Sequence, residues 1–128
     1  MSLETMRPNP TWDAASYEDV VDTLEAHNDE LVYKIWGGDW CKDCRALLPD
    51  LGAALEAAAV PDERIEEFAL DQDKQGPGVE AYDIELIPTI VVEDDDGEEL
   101  TRFVEEEDVP PAVWLADELE AALETDTA

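Results

Sequence analysis

The sequence predicts an α/β domain in which a mixed central sheet of four to five strands carries helices on both faces. Three observations point there. Short apolar runs rich in Val and Ile alternate with stretches whose apolar residues recur at helical spacing. Gly and Pro punctuate the changes between them, and the order reads helix, strand, helix, strand, short helix, strand, hairpin strand, helix. At 128 residues the chain can bury one core without metal or disulfide staples, and no internal repeat or linker divides it.

Residues 1 to 15, interrupted by Pro8 and Pro10, read as an arm that can add one short edge strand around Thr11 and Trp12. Residues 16 to 126 are expected to form the single domain. Ser16 is placed to cap a helix over 17 to 27, whose buried face carries Tyr17, Val20, Val21 and Leu24. The run LVYKIW, 31 to 36, is a strand closed by Gly37-Gly38. A second helix opens at Cys41 and runs to about Ala59, with Cys44, Leu47, Leu48, Leu51, Leu55 and Ala58 along one stripe and Pro61 to stop it. RIEEFAL, 64 to 70, is a strand, followed by a polar loop over 71 to 78 and a short helical turn through Val79 to Tyr82. LIPTIVV, 86 to 92, is a strand with proline at its entrance, where a missing N–H is tolerated. Asp96-Gly97 marks a hairpin returning through ELTRFV, 99 to 104. Pro110-Pro111 introduce a last helix that buries Leu115, Leu119, Ala122 and Leu123.

Composition narrows the function classes. Against 36 Asp and Glu stand only 7 Lys and Arg, a formal net charge of −29. Such a surface repels itself in dilute buffer, whereas at molar salt the Debye length falls to about 3 Å and neighbouring carboxylates hardly sense one another. The acid is spread in short pieces such as Asp94-Asp95-Asp96 and Glu105-Glu106-Glu107-Asp108, a pattern similar to cytosolic proteins of salt-accumulating halophiles. The competing reading is an acidic mimic of nucleic acid. With no basic patch to displace counterions, neither nucleic acid nor an anionic membrane is an expected partner. The N-terminus carries no signal for export and no run of about 18 apolar residues occurs, so a cytoplasmic location is expected.

The chemistry concentrates in WGGDWCKDC, 36 to 44, which holds both cysteines. In a reducing cytosol a C-x-x-C is catalytic or metal-binding before it is structural. A closed zinc site needs two further ligands, yet the chain has no other Cys and one His, His27, which reads as a helix-end residue, so no metal is expected. Ser2 and Ser16 are the only serines, which leaves little material for serine-based catalysis. Cys41 and Cys44, three apart on a helix, share a face and can close a disulfide. Cys41, at the helix start, is favoured as the thiolate that attacks, and Cys44, one turn in, as the thiol that resolves. Lys42 favours a neighbouring thiolate while Asp43 and Asp39 oppose it. Trp40 offers a flat apolar surface to a docking polypeptide, or simply covers the helix end. Trp12, Trp36, Trp114 and Tyr82 read as packing.

WCKDC with Pro49 five residues beyond, followed by ALDQDKQGPGVEAYDIELIPTIVV, resembles thioredoxin. The likeness spans residues 31 to about 104. It implies a thioredoxin-like fold, with Asp71 ending a strand, Ala81 and Tyr82 in the next helix, and Ile87-Pro88-Thr89 carrying a cis proline beside the cysteine pair. It further implies that Trp40, Ile87, Pro88 and Thr89 form a groove in which the Ile87 backbone meets an extended substrate. The sequence departs from thioredoxin in four places. Lys42-Asp43 replaces Gly-Pro, the buried acid falls on Lys34 or Ile35, the glycine after the last strand is missing near Val104-Glu105, and no full first strand is evident. The resulting expectation is a monomeric protein-disulfide reductase without bound cofactor, acting on disulfide-containing proteins and restored by a reductase. The alternative is a thioredoxin-fold adaptor or chaperone that binds polypeptide without redox turnover.

Overall fold

The computed structural model describes residues 6–73, 75–76, 78–104 and 111–127, and within these the side chains other than those of 14, 111 and 122–127. Its elements are α1 (Glu18–Ala26), β1 (Val32–Gly37), α2 (Lys42–Ala57), β2 (Ile65–Ala69), β3 (Thr89–Glu93), β4 (Glu99–Val104) and α3 (Pro111–Thr127). The strands form one mixed sheet in the order β2-β1-β3-β4, with β1 parallel to β2 and antiparallel to β3, and β3 antiparallel to β4.

Alternation along β1 sorts the two faces of this sheet. Tyr33 and Ile35 share a face with Ile90, Val92 and Phe103, all fully buried. Phe103 meets Trp114 of α3 edge-on at 5.7 Å, and the three helices pack on one another over this face. Leu48, Leu51 and Leu55 of α2 are buried to 1% exposure or less, each burial stabilising by roughly 1.5–3 kcal/mol. On the opposite face Trp36 stacks on Phe68 at 4.7 Å and lies 4.9 Å from Tyr82, so the segment 78–84 covers the sheet there. That segment is a run of turns and holds one helical turn where a short one is expected, through 79 to 82. One i→i−4 bond, Tyr82 N–H to Gly78 C=O at 3.0 Å, is followed by Asp83 at φ 53°, a left-handed residue that ends the coil before a second turn forms.

Several boundaries move for local reasons. A 3₁₀ turn, Ala14–Tyr17, precedes α1, and its cap is Asp13: the Asp13 carboxylate accepts Ala15 N–H at 3.1 Å and Ser16 Oγ–H at 2.7 Å. Ser16 is therefore a donor inside the turn and not the expected helix cap. The second helix ends before Pro61 can act. Ala59 takes φ 60°, and the bonds Ala59 N–H to Glu56 C=O and Val60 N–H to Leu55 C=O, both 3.0 Å, close a Schellman motif with alanine where glycine is usual. Strand β3 starts at Thr89, after the proline, and not at 86. At the β3–β4 turn Gly97 has φ 83° and Asp94 Oδ1 accepts the Asp96 and Glu98 N–H groups, as Asp96-Gly97 foretells. The side chains of Ala122 and Leu123, and all of Glu105 and Pro110, lie outside what is described.

Thr11 and Trp12 form no strand; the arm fastens instead across α2. Asn9 N–H donates to Pro49 C=O at 3.0 Å and Asn9 Nδ2 to Asp50 Oδ1 at 2.8 Å. The Met6 carbonyl lies where a Cβ on Gly52 would be. Glycine at 52 is thus a condition for the strap, which covers α2 at the proline-interrupted stretch. Ala59 supplies a test of the C-cap: Ala59→Gly should raise stability by about 1 kcal/mol, the strain of a left-handed non-glycine residue, read as a higher denaturant midpoint with unchanged slope. An unchanged or lower midpoint would contradict it.

Candidate active site

The site begins with the register of β1. Trp36 pairs with Thr89 across the antiparallel ladder, so Ile87-Pro88 arrives at the end of the sheet from which β1 delivers the chain to Cys41. Leu70 N–H donates to Gly37 C=O at 2.8 Å, bringing the end of β2 to the same place. The Ile87-Pro88 bond is cis, and Ile87, Pro88 and Thr89 are buried. Thr89 Oγ–H is bonded to the Leu86 carbonyl.

Cys41 is the N-cap of α2, with ψ 123° outside the helical range, and its Sγ accepts Cys44 N–H at 3.4 Å. The sulfur thus takes one of the unpaired donors at the helix head, as a capping oxygen does elsewhere. Cys41 N–H in turn donates to Gly38 C=O at 3.0 Å, which holds the turn that carries Trp40. Both cysteines are free thiols, and their surroundings differ: Cys41 keeps 8% exposure and Cys44 none. Burial pushes the Cys44 thiol well above its ordinary value, reinforced by its hydrogen bond with Cys41, while a backbone hydrogen bond with Gly38 pulls the other way and the charges of Cys41 and Asp43 add to the rise.

Of the flanking residues, Lys42 and Asp43 are both exposed. Asp43 acts on Cys44 as just described; Lys42 forms no ion pair among the described residues. Trp40 is 38% exposed, and its Nε1–H donates to Leu70 C=O at 2.9 Å, so the indole lies as a plate over the head of the site. Sequence reasoning missed what makes this plate possible. A Cβ on Gly38 would come within 2.5 Å of Trp40 Nε1. The signal was the glycine pair itself, of which the second member is a close approach and not merely the end of a strand.

The position of the acid missing from the thioredoxin pattern is also resolved. Lys34 faces away from α2, toward Tyr82, while Ile35 faces α2 and is fully buried. No carboxylate therefore comes from β1 to Cys44. Among the described residues no three His, Cys, Asp or Glu side chains are grouped so as to hold a metal ion.

The thioredoxin family model matches residues 11–110. This chain is a member of the thioredoxin family. Solved structures agree on the fold. Thioredoxin from Trichomonas vaginalis matches at 21% identity, over 82% of this chain and 89% of that one, with a TM-score of 0.51. A DsbH oxidoreductase matches at 17% identity over 97% and 91%, TM-score 0.54. A mutant thioredoxin from Halobacterium salinarum NRC-1 matches at 22% over 95% and 96%, TM-score 0.50. No curated protein sequence matches the chain. At these identities the neighbours share the thioredoxin fold, and the C-x-x-C pair stands at the head of α2 within it.

The raised Cys44 thiol fixes a sign for stability against pH. Above the ordinary thiol value of 9.0 the unfolded chain loses the Cys44 proton and the folded chain keeps it. Unfolding then releases a proton, so the stability present below that value declines as the pH rises toward the raised folded value. Denaturant midpoints of the reduced protein should fall with alkaline pH more steeply than those of Cys44→Ser; parallel curves would contradict the assignment.

Proposed function

We propose that this thioredoxin-family protein is a thiol–disulfide oxidoreductase that reduces protein disulfides. The observation that carries the reading is the asymmetry of the pair: one sulfur at the helix head with residual exposure, the other sealed in the core, where burial pushes its thiol up. Cys41, as thiolate, attacks one sulfur of a substrate disulfide, forms a mixed disulfide and expels the other substrate sulfur as a thiolate. Cys44 then gives up its proton, attacks Cys41 Sγ and releases the second substrate thiolate, which closes the Cys41–Cys44 disulfide. Two electrons pass from the dithiol to the substrate, and a reductase returns them. No bound cofactor enters. With Ile35 apolar and Lys34 turned away, Asp43 or water takes the Cys44 proton.

Substrate lies in this reading as an extended segment along Ile87, Pro88 and Thr89 with Trp40 beside it, and Lys42 and Asp43 tune the exchange. The setting we infer is the cytoplasm of a salt-accumulating cell, where molar salt screens the acidic surface. The absence of a buried acid at Ile35 favours one second reading, an adaptor that binds polypeptide through the same groove, for which exchange would be no faster than with a free small thiol.

Two variants decide between them. In molar KCl, Cys41→Ser should abolish reduction of insulin, while Cys44→Ser should accumulate a mixed disulfide through Cys41 that dithiothreitol releases. Undiminished turnover by Cys41→Ser, or no adduct on Cys44→Ser, would remove the mechanism.

A further inference from the structure

We propose that Lys34 and Glu93 are positioning residues for the Ile87–Thr89 segment and act on it through Tyr82; the inference rests on the exchange reading above. Lys34 Nζ donates to Tyr82 Oη at 2.8 Å, and Tyr82 Oη–H donates to Glu93 Oε2 at 2.6 Å. Lys34 Nζ lies 3.2 Å from Glu93 Oε1, which closes the triangle. Arg102 Nη1 donates to the Tyr82 carbonyl at 2.6 Å, and the phenol ring lies against Trp36. The one tyrosine is thereby gripped from β1 by Lys34 and Trp36, from β3 by Glu93 and from β4 by Arg102.

Two considerations make this more than packing. Glu93 is 6% exposed, and burying a carboxylate is costly even when it is paired; an apolar set of similar volume would hold the sheet as well or better. What the charged set adds is direction, because a phenol that both accepts from Lys34 and donates to Glu93 has one place to sit. The second consideration is the path of the chain. Between Tyr82 and Thr89 the backbone has no regular structure, so its course is set by its two ends: the Tyr82 anchor, and the ladder that starts where Thr89 pairs with Trp36. Ile84 N–H bonded to Val79 C=O at 2.9 Å and Thr89 bonded to Leu86 C=O carry the constraint inward from each end. Ile87, which offers its backbone to the substrate, lies between them. The network is on the sheet face opposite α2, so it reaches the substrate loop without touching either sulfur.

The test compares a protein disulfide, which must lie along the loop, with hydroxyethyl disulfide, which needs only the thiolate. For Tyr82→Phe, which deletes one oxygen and keeps the ring, and for Lys34→Met, KM for insulin should rise about tenfold with kcat little changed. Reduction of hydroxyethyl disulfide should keep its rate, and Lys34→Arg should restore most of the insulin KM. An unchanged insulin KM in Tyr82→Phe would overturn the inference while leaving the exchange reading intact. So would equal losses on both substrates, which mark a loosened fold. A wild-type protein that reduces neither disulfide would remove the exchange reading itself.

Discussion

The structure depends on the antiparallel ladder between β1 and β3. Pairing Trp36 with Thr89 brings together two stretches far apart in the chain, the turn into Cys41 and the loop through Pro88. Side chains alternate along a strand, so a slip of one residue would exchange the faces. Lys34 would then point into the helix layer and Ile35 toward Tyr82, leaving a cation in an apolar core and a phenol without partners. The register is therefore set by what each face can bury. The geometry of the site follows from that choice.

Given the ladder, the chemistry follows from where the second helix begins. A helix head presents N–H groups without partners, and here a sulfur occupies the capping position that oxygen usually fills. Three residues on, the same helix carries its second sulfur into the core, where a charge is unfavourable. One C-x-x-C thus supplies two different thiols, distinguished first by burial. The strap across Gly52 and Pro49 and the tryptophan plate over Gly38 serve this arrangement by close backbone approach, which only glycine allows at those two points.

Much of this was legible in the sequence. The apolar runs of β1 and β3, the helical stripe through Leu48, Leu51 and Leu55, and the Asp96-Gly97 turn are local signals whose period or turn chemistry survives in the fold. The cis bond before Pro88 was reached through resemblance, since propensity alone disfavours it. What was not legible depends on distant partners. Nothing near Asn9 announces that it will bond Pro49 and Asp50, fastening the arm across α2 in place of a strand around Thr11 and Trp12. Likewise Lys34 in an apolar run is ambiguous until Tyr82 and Glu93, far along the chain, are known to meet it. The early end of α2 was hidden because alanine does not advertise a left-handed turn, and Pro61 was the more conspicuous stop.

The central claim is that Cys41 and Cys44 open and close as one unit. Equilibrating the protein at molar KCl in glutathione buffers of graded composition, quenching with an alkylating agent and counting free thiols by mass tests it most directly. The account predicts that both thiols disappear and return together in a single reversible two-electron transition, with no stable glutathione adduct. Thiols that stay free under oxidising glutathione, or a lasting adduct on Cys41 with Cys44 still reduced, would contradict it.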